Sequence, residues 1–305
     1  MNIAILGAGS WGKALAGMWS EAGHEVRIWD IGDDMEEKVQ GAQVIVNAIP
    51  SHAVREVMRK LASIYMGSSA IILNVCKGIE QGTLLRMSEV VREEIPSAEG
   101  CKKSVVVMSG PSHAEEVAEG LPTTNVIASN LPWLTEFLQG ELANSRFRLY
   151  ASEDVAGVEL AGSLKNVLAI CTGIAHGLGY GDNTKAAIMT RGIAEMTRLG
   201  VAAGANERTF AGLAGIGDVI VTCTSMHSRN NRAGMLIGAG ATVEEACEEV
   251  KMVVEGVRTT DSAYHMAKKF DVDVPLIAEV YKVLFEGKDP RDSVEDLMGR
   301  QLGKE

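Results

Sequence analysis

Positive charge is scarce in this sequence. Lys and Arg number 29 against 40 Asp and Glu, for a net charge of −11 and a pI near 5.2. A nucleic-acid partner requires a basic face to neutralise phosphates, and an anionic membrane surface requires a polybasic patch. The sequence offers neither, so both classes of partner are disfavoured. A small anionic substrate stays open, because a local Arg/Lys cluster can reverse the sign of the field inside a cleft. The 5 cysteines are scattered and form no CxxC pair, and the 6 histidines lack zinc-ligand spacing. No metal site is therefore expected, and a reduced, cytoplasmic setting is the simplest reading. Aromatic residues make up only 5% of the chain. Internal repeats, low-complexity tracts and Pro/Ser-rich linkers are absent. The first residues, MNIAILGAGS, have no basic n-region and no small-residue cleavage site, so a signal peptide is not expected.

What is present is an ordinary globular composition, 46% apolar and 23% charged, over 305 residues. That length suffices for two domains with full cores. Glycine is abundant, at 33 residues, which implies tight turns and close backbone approaches. The first half alternates short β-rich runs with helical patterns. Strands are expected at Ile3–Gly7, Val26–Asp30, Val44–Ile49, Ala70–Asn74, Val105–Met108, Asn125–Ala128 and Phe147–Tyr150. Helices are expected at Gly12–Ala22, Val54–Ile64, Leu84–Glu94 and Trp133–Ala143. Such alternation implies βαβ units and a mostly parallel sheet with helices on both faces. After Tyr150 strand-like runs nearly vanish. Helical patterns follow at Asp154–Leu178, Lys185–Ala203, Ala233–Gly238, Asp261–Phe270 and Leu276–Phe285, and Thr242 with Glu245 forms a capping box. The expected plan is an α/β domain over residues 1–150, then an all-helical domain over 151–305. The absence of a linker points to a tight interface between them.

The segment AILGAGSWGKALA places Gly7, Gly9 and Gly12 in G-x-G-x-x-G spacing, between a strand and a helix, and Asp30 ends the next strand. That context makes it a dinucleotide fingerprint and the first domain a Rossmann domain. Gly7 permits the turn, Gly9 lets the pyrophosphate approach the backbone, and Gly12 lets helix and strand pack closely. The helix N-terminus turns free N–H groups toward the phosphates. A glycine turn without a ligand is the plainer alternative. Asp30 is placed to bond the ribose hydroxyls, which favours NAD; a simple turn cap is its other reading. Asp33, Asp34, Glu36 and Glu37 follow and would repel a 2′-phosphate, whereas Arg27 and Lys38 lie nearby. NAD is the expected cofactor, with NADP the alternative.

The run Val158–Gly181 is long enough to span a bilayer, yet it contains Gly162, Gly173, Gly177, Gly179 and the polar pair Lys165–Asn166, without basic flanks. A buried core helix fits better. Lys165 is the only formal charge between Glu159 and Asp182. An unpaired ammonium in such surroundings is costly enough to force neutralisation or pairing. Asp218 is equally isolated in FAGLAGIGDVIVTCTSMHS, apart from any charge on His227. The two charges are each other's natural partners. In a hydride-transfer enzyme Lys165 would act as general acid or base toward a carbonyl or hydroxyl oxygen, with Asp218 orienting it. A structural salt bridge, or a snorkelling lysine, is the alternative. SMHSRNNR, Ser225 to Arg232, offers guanidinium and amide donors suited to a phosphate, or else forms a solvated loop. Lys77 after the fourth strand, with Gly110 and Ser112 after the fifth, stands where ligands bind in open α/β sheets, although Lys77 also reads as an ordinary surface lysine.

With these residues in place, the chain resembles the bacterial NAD(P)-dependent glycerol-3-phosphate dehydrogenases over nearly its whole length. The resemblance rests on GAGSWG, CKGIE, SGPSHAEE, GSLKNVLAI, RGIAEMTRLG, AGIGDVIVTC, SRNNR and VVEGVRTT, in family order. It implies a Rossmann domain followed by an all-helical domain, usually as a homodimer. It also implies reversible reduction of dihydroxyacetone phosphate to sn-glycerol 3-phosphate for phospholipid synthesis. Lys165 then looks like the proton donor and acceptor, with Asp218 and Thr222 as its partners. Ser228, Arg229 and Asn230 look like the substrate phosphate grip, and Lys77, Gly110 and Ser112 also touch substrate. Ser10, Trp11, Ala114, Val253 and Glu255 match cofactor contacts, as do Lys77 and Arg229. The chain departs from the family in one place. The usual long segment after the second strand, with its Asn-x-x-Tyr-Leu-Pro motif, is reduced to Ile31–Gly41, and Asp30 replaces a basic residue. The departure bears on the adenine side of the cofactor and not on the catalytic motifs.

Overall fold

A computed structural model describes residues 1–65, 69–95 and 105–301; Cys101 lies outside them. Seven strands, β1 (Asn2–Leu6), β2 (Glu25–Trp29), β3 (Val44–Asn47), β4 (Ile71–Asn74), β5 (Val105–Ser109), β6 (Thr123–Ala128) and β7 (Phe147–Ser152), form one sheet in the order β2-β1-β3-β4-β5-β6-β7. Every neighbouring pair is parallel except β5 with β6, so β6 and β7 run opposite to the rest. Strands β1, β3, β4 and β5 are almost wholly buried, which is why they read as continuous aliphatic runs rather than alternating ones. On β1, Ile3 and Ile5 face one core with Leu15 and Trp19, and Ala4 and Leu6 face the other with Val54 and Met58.

After Ser152 every regular element is helical among the described residues. The helix Val155–Gly177 is the axis of this second core, buried along nearly all its length. It is long and apolar enough to cross a membrane, yet 94% of its most apolar window is buried inside the protein. Asp154 caps it, accepting hydrogen bonds from Gly157 N, Asn206 N and the Thr209 hydroxyl.

The glycines of the central helix have a packing reason. A Cβ on Gly173 would sit 2.2 Å from Asn231 O, and one on Gly177 2.2 Å from Met235 O. Reciprocally, a Cβ on Gly234 would meet Ile170 O and one on Gly238 would meet Ile174 O, again at 2.2 Å. Two G-x-x-x-G faces thus bring the helices Val155–Gly177 and Arg229–Gly238 into backbone contact, a distance at which no side chain fits. At the other end, a Cβ on Gly162 would come within 2.2 Å of Ser109 Oγ at the end of β5. The central helix is thereby pressed against the carboxyl edge of the sheet, one turn before Lys165.

Helix starts differ from the sequence pattern by three residues or more in four places, one of them the helix expected from Lys185, which begins at Asp182. Leu84 has φ 62°, so the helix expected from Leu84 begins at Met87. The helix expected from Ala233 begins at Arg229, with the Ser228 hydroxyl accepting from Asn231 N as its cap. The one expected from Asp261 begins at Glu255. In the last two cases polar first turns hide the helix from an apolar periodicity. The Thr242–Glu245 capping box is present.

Candidate active site

The glycine loop lies between β1 and the helix Ser10–Glu21. Gly7 has φ +110°, and a Cβ there would meet Ala48 O at 2.8 Å; a Cβ on Gly12 would meet Gly7 O at 2.0 Å. Gly9 differs: a Cβ there would meet nothing within 4 Å. The first and third glycines therefore serve the turn and the packing, and the second opens onto free space, as a pyrophosphate approaching the backbone requires. These residues fit a dinucleotide. The short helix Ala114–Ala118 packs against Ser10–Glu21, which brings Ala114 to the same region as the exposed Ser10 and half-buried Trp11. Asp30 is exposed, and its Oδ1 accepts from Ile31 N at 2.9 Å, so it does cap its own turn. Arg27 is committed elsewhere, donating to Glu37 O at 3.0 Å and Gln40 O at 2.5 Å.

The two isolated charges meet. Lys165 Nζ lies 2.5 Å from Asp218 Oδ1 and 2.5 Å from Thr222 Oγ1, and the Thr222 hydroxyl lies 3.2 Å from the same carboxylate oxygen. Lys77 joins from the loop after β4, with Nζ 2.6 Å from Asp218 Oδ2 and 3.1 Å from Gly110 O. Two ammonium groups thus share one buried carboxylate. The sequence had isolated Lys77 as a ligand-facing residue but gave no sign of this third charge in the cluster. Burial pushes Lys165 down, partly countered by Asp218 and reinforced by Lys77, to a pKa of about 8. Burial works to raise the Asp218 carboxyl, but Lys165 and Lys77 together outweigh it and the net shift is downward. The Ser112 hydroxyl donates to Gly110 O at 3.0 Å.

In SRNNR the residues divide their work. Arg229 is exposed, and its guanidinium has no hydrogen-bond partner among the described residues. Asn230 is turned inward: its amide donates to Asn166 Oδ1 at 3.0 Å and accepts from Gly256 N at 2.9 Å. It braces the Lys165–Asn166 pair against the start of the helix Glu255–Phe270. Asn231, also buried, donates to Cys223 O at 3.0 Å. Glu255 reaches across to the loop after β3, accepting from Ser51 N at 2.9 Å and from the Ser51 hydroxyl at 2.5 Å. Val253 is exposed just before it.

One network escaped the sequence reading. Glu159 is buried two turns before Lys165 and accepts from Ser88 N at 2.8 Å, the Ser88 hydroxyl at 2.5 Å, Asn74 Nδ2 at 3.2 Å and Arg86 Nη1 at 3.1 Å. Asn47 in turn donates to Asn74 Oδ1 at 2.8 Å. The ends of β3 and β4 are so tied to the central helix. The available signal was an asparagine closing each strand, a polar residue where the aliphatic run stops.

All of this chemistry gathers beyond the carboxyl ends of β1, β3, β4 and β5, where ligands of open α/β sheets bind. A family model described as the NAD-dependent glycerol-3-phosphate dehydrogenase N-terminus matches residues 2–33 and 30–133, and its C-terminus counterpart matches residues 154–295. The chain belongs to this family. The glycerol-3-phosphate dehydrogenase [NAD(P)+] of Thermoanaerobacter sp. is 48% identical over 328 residues, covering 98% of this chain and 97% of that protein. Its counterpart from Desulfitobacterium hafniense is 46% identical, covering 98% of this chain and 91% of that protein. The crystal structure of glycerol-3-phosphate dehydrogenase from Coxiella burnetii superposes with a TM-score of 0.93 at 36% identity, covering 98% of this chain and 99% of that one. The family match to the first domain breaks into two stretches that overlap at residues 30–33, where the segment after β2 is short.

Proposed function

We propose that this protein interconverts dihydroxyacetone phosphate and sn-glycerol 3-phosphate with a nicotinamide dinucleotide, supplying glycerol phosphate for phospholipid synthesis. The observation that carries the reading is the buried Lys165–Asp218–Thr222 cluster at the edge of the sheet that also bears the glycine loop. The nicotinamide, when bound, supplies or accepts the hydride at the substrate carbon. Lys165 gives its proton to the carbonyl oxygen in reduction and takes it back from the hydroxyl in oxidation. Asp218 and Thr222 hold the amine in place and Asp218 keeps it charged. A pKa of about 8 leaves both forms of Lys165 accessible near neutrality, as a reversible proton transfer requires. Residues 1–150 hold the dinucleotide through Gly7, Gly9, Ser10, Trp11, Gly12, Asp30 and Ala114. Residues 151–305 carry the proton donor and Arg229, whose free guanidinium is the main grip on the phosphate. Lys77, Gly110 and Ser112 close the cleft from the first domain. The working form is a cytoplasmic homodimer. A carboxylate-binding β-hydroxyacid dehydrogenase and a non-catalytic NAD sensor are the competing readings. Oxidation of NADH on adding dihydroxyacetone phosphate is the test, and binding of NADH without absorbance change would favour the sensor.

Two expectations belong to this reading. Replacing Arg229 by Ala should raise KM for dihydroxyacetone phosphate by about 10- to 100-fold, the worth of a charge-assisted hydrogen bond, and leave unphosphorylated dihydroxyacetone nearly unaffected. Equal losses on both would remove Arg229 from the phosphate grip. The second concerns the cofactor. Asp30 would meet the ribose, the acidic residues Asp33, Asp34, Glu36 and Glu37 that follow it run into the start of the helix Met35–Val39, and Arg27 is tied to backbone carbonyls rather than free for a 2′-phosphate. NADH should therefore be preferred over NADPH by about tenfold or more in kcat/KM. A steady-state comparison of the two checks it, and parity would reject the role given to Asp30.

A further inference from the structure

Two histidines meet across the cleft, and neither belongs to the cluster above. His113 follows Ser112 in the loop after β5, and His227 precedes Ser228 at the start of SRNNR. Their ring centroids are 5.8 Å apart, inclined at 52°. His113 is half-buried, and its Nε2 lies 3.3 Å from the backbone carbonyl of Val221 in the second domain. A carbonyl only accepts, so Nε2 carries the proton of the neutral ring and Nδ1 is left bare. Nδ1 has no partner among the described residues.

We propose that the His113–His227 pair forms part of the phosphate-binding wall of the substrate cleft, and that a phosphorylated substrate places a proton on His113 as it binds. The inference rests on the substrate reading given above. Each ring stands one residue from a hydroxyl assigned to the substrate, Ser112 on one side and Ser228 on the other. The charged groups acting on His113 are Lys165 of the central helix, Lys77 of the loop after β4, and Asp218 of the helix Asp218–Thr224. Glu115 and Glu116 follow it in its own short helix, and the helix Ser10–Glu21 packed on that one carries Lys13 and Glu21, both exposed. Burial, with Lys165 and Lys77, moves His113 downward against the Val221 carbonyl and Asp218, so the ring is neutral in the free protein near neutral pH. A phosphate dianion reverses that balance, because it adds two negative charges beside Nδ1 and gains a charge-assisted bond once Nδ1 is protonated. Binding then takes up a proton, and affinity falls as pH rises.

The test compares the protein with its H113Q and H227Q variants. Glutamine at 113 keeps an N–H for the Val221 carbonyl and removes the titration. Between about pH 6 and about pH 8.5, the ratio of KM for dihydroxyacetone phosphate in H113Q to that in the unaltered protein should fall from about tenfold to near unity, because the substrate's own ionisation cancels in the ratio. The effect should fall on KM rather than kcat and be absent with unphosphorylated dihydroxyacetone, and H227Q should show the same trend at smaller amplitude. Titration calorimetry with sn-glycerol 3-phosphate in two buffers of different ionisation enthalpy should detect proton uptake that is smaller in H113Q, Lys165 contributing equally to both. A KM ratio constant with pH, or uptake undiminished in H113Q, would overturn the inference alone. Absence of any glycerol phosphate binding to the unaltered protein would instead sink the substrate reading.

Discussion

Replacing Lys165 by Ala should lower turnover by about 10³-fold or more in both directions while NADH affinity stays close to its original value. The proton transfer accounts for about 10²- to 10⁴-fold, and the lost positive charge opposite the developing alkoxide adds to it. The fold should tolerate the change, because Lys77 still pairs with Asp218 at 2.6 Å and the carboxylate is not left alone. The glycine loop is untouched. Stopped-flow and fluorescence titration separate the two quantities, and a K165A variant with normal turnover would end the acid–base assignment. The unaltered protein gives a matching pH signature. Reduction needs the ammonium, so its rate should fall as pH rises through about 8; oxidation needs the free amine, so its rate should rise through the same value. Opposite slopes with a common midpoint are the expected result. Slopes of the same sign would point to a different titrating group.

Replacing Asp218 by Asn should be the more damaging change to the molecule as a whole. Asn keeps the shape but removes the one negative charge between two ammonium groups. Asp218 is 1% exposed and Lys165 8%, so water cannot make up the loss at that point. Removing one partner of a buried pair costs about 3–5 kcal/mol, and here the repulsion of Lys77 and Lys165 comes on top. Lys165 should respond by losing its proton at neutral pH, which removes the acid needed for reduction. Chemical denaturation should show the stability loss and kinetics the activity loss. The double replacement K165M/D218N tests the cause: it should recover most of the stability and none of the activity, since Lys77, at 20% exposure, can turn toward water. If the double variant were as unstable as D218N, buried charge would not be the reason.

Much of this architecture could be read from one dimension. Strands β1, β3, β4 and β5 were marked by aliphatic runs, because the sheet is covered on both faces there, and β2, β6 and β7 by shorter stretches of β-branched, aromatic and aliphatic residues. The glycine loop was legible because its spacing is a local steric requirement. Lys165 and Asp218 stood out because a lone charge in an apolar segment is costly wherever the chain folds. Their pairing could be inferred for the same reason, although 53 residues separate them.

Other features depend on which surfaces meet, and no window of sequence contains that information. The reversal of β6 and β7 follows from how the chain returns across the sheet. Lys77 joins Asp218 across 141 residues; its place after the fourth strand points to a ligand, but nothing near it marks Asp218 as its partner. The paired glycines of the central helix and of Gly234–Gly238 have meaning only when the two backbones touch. Periodicity and isolated charge are properties of a short segment and survive being read in isolation. Shared partners, close approach and the meeting of His113 with His227 are properties of packing, and they exist only once the two halves of the chain have closed on one another.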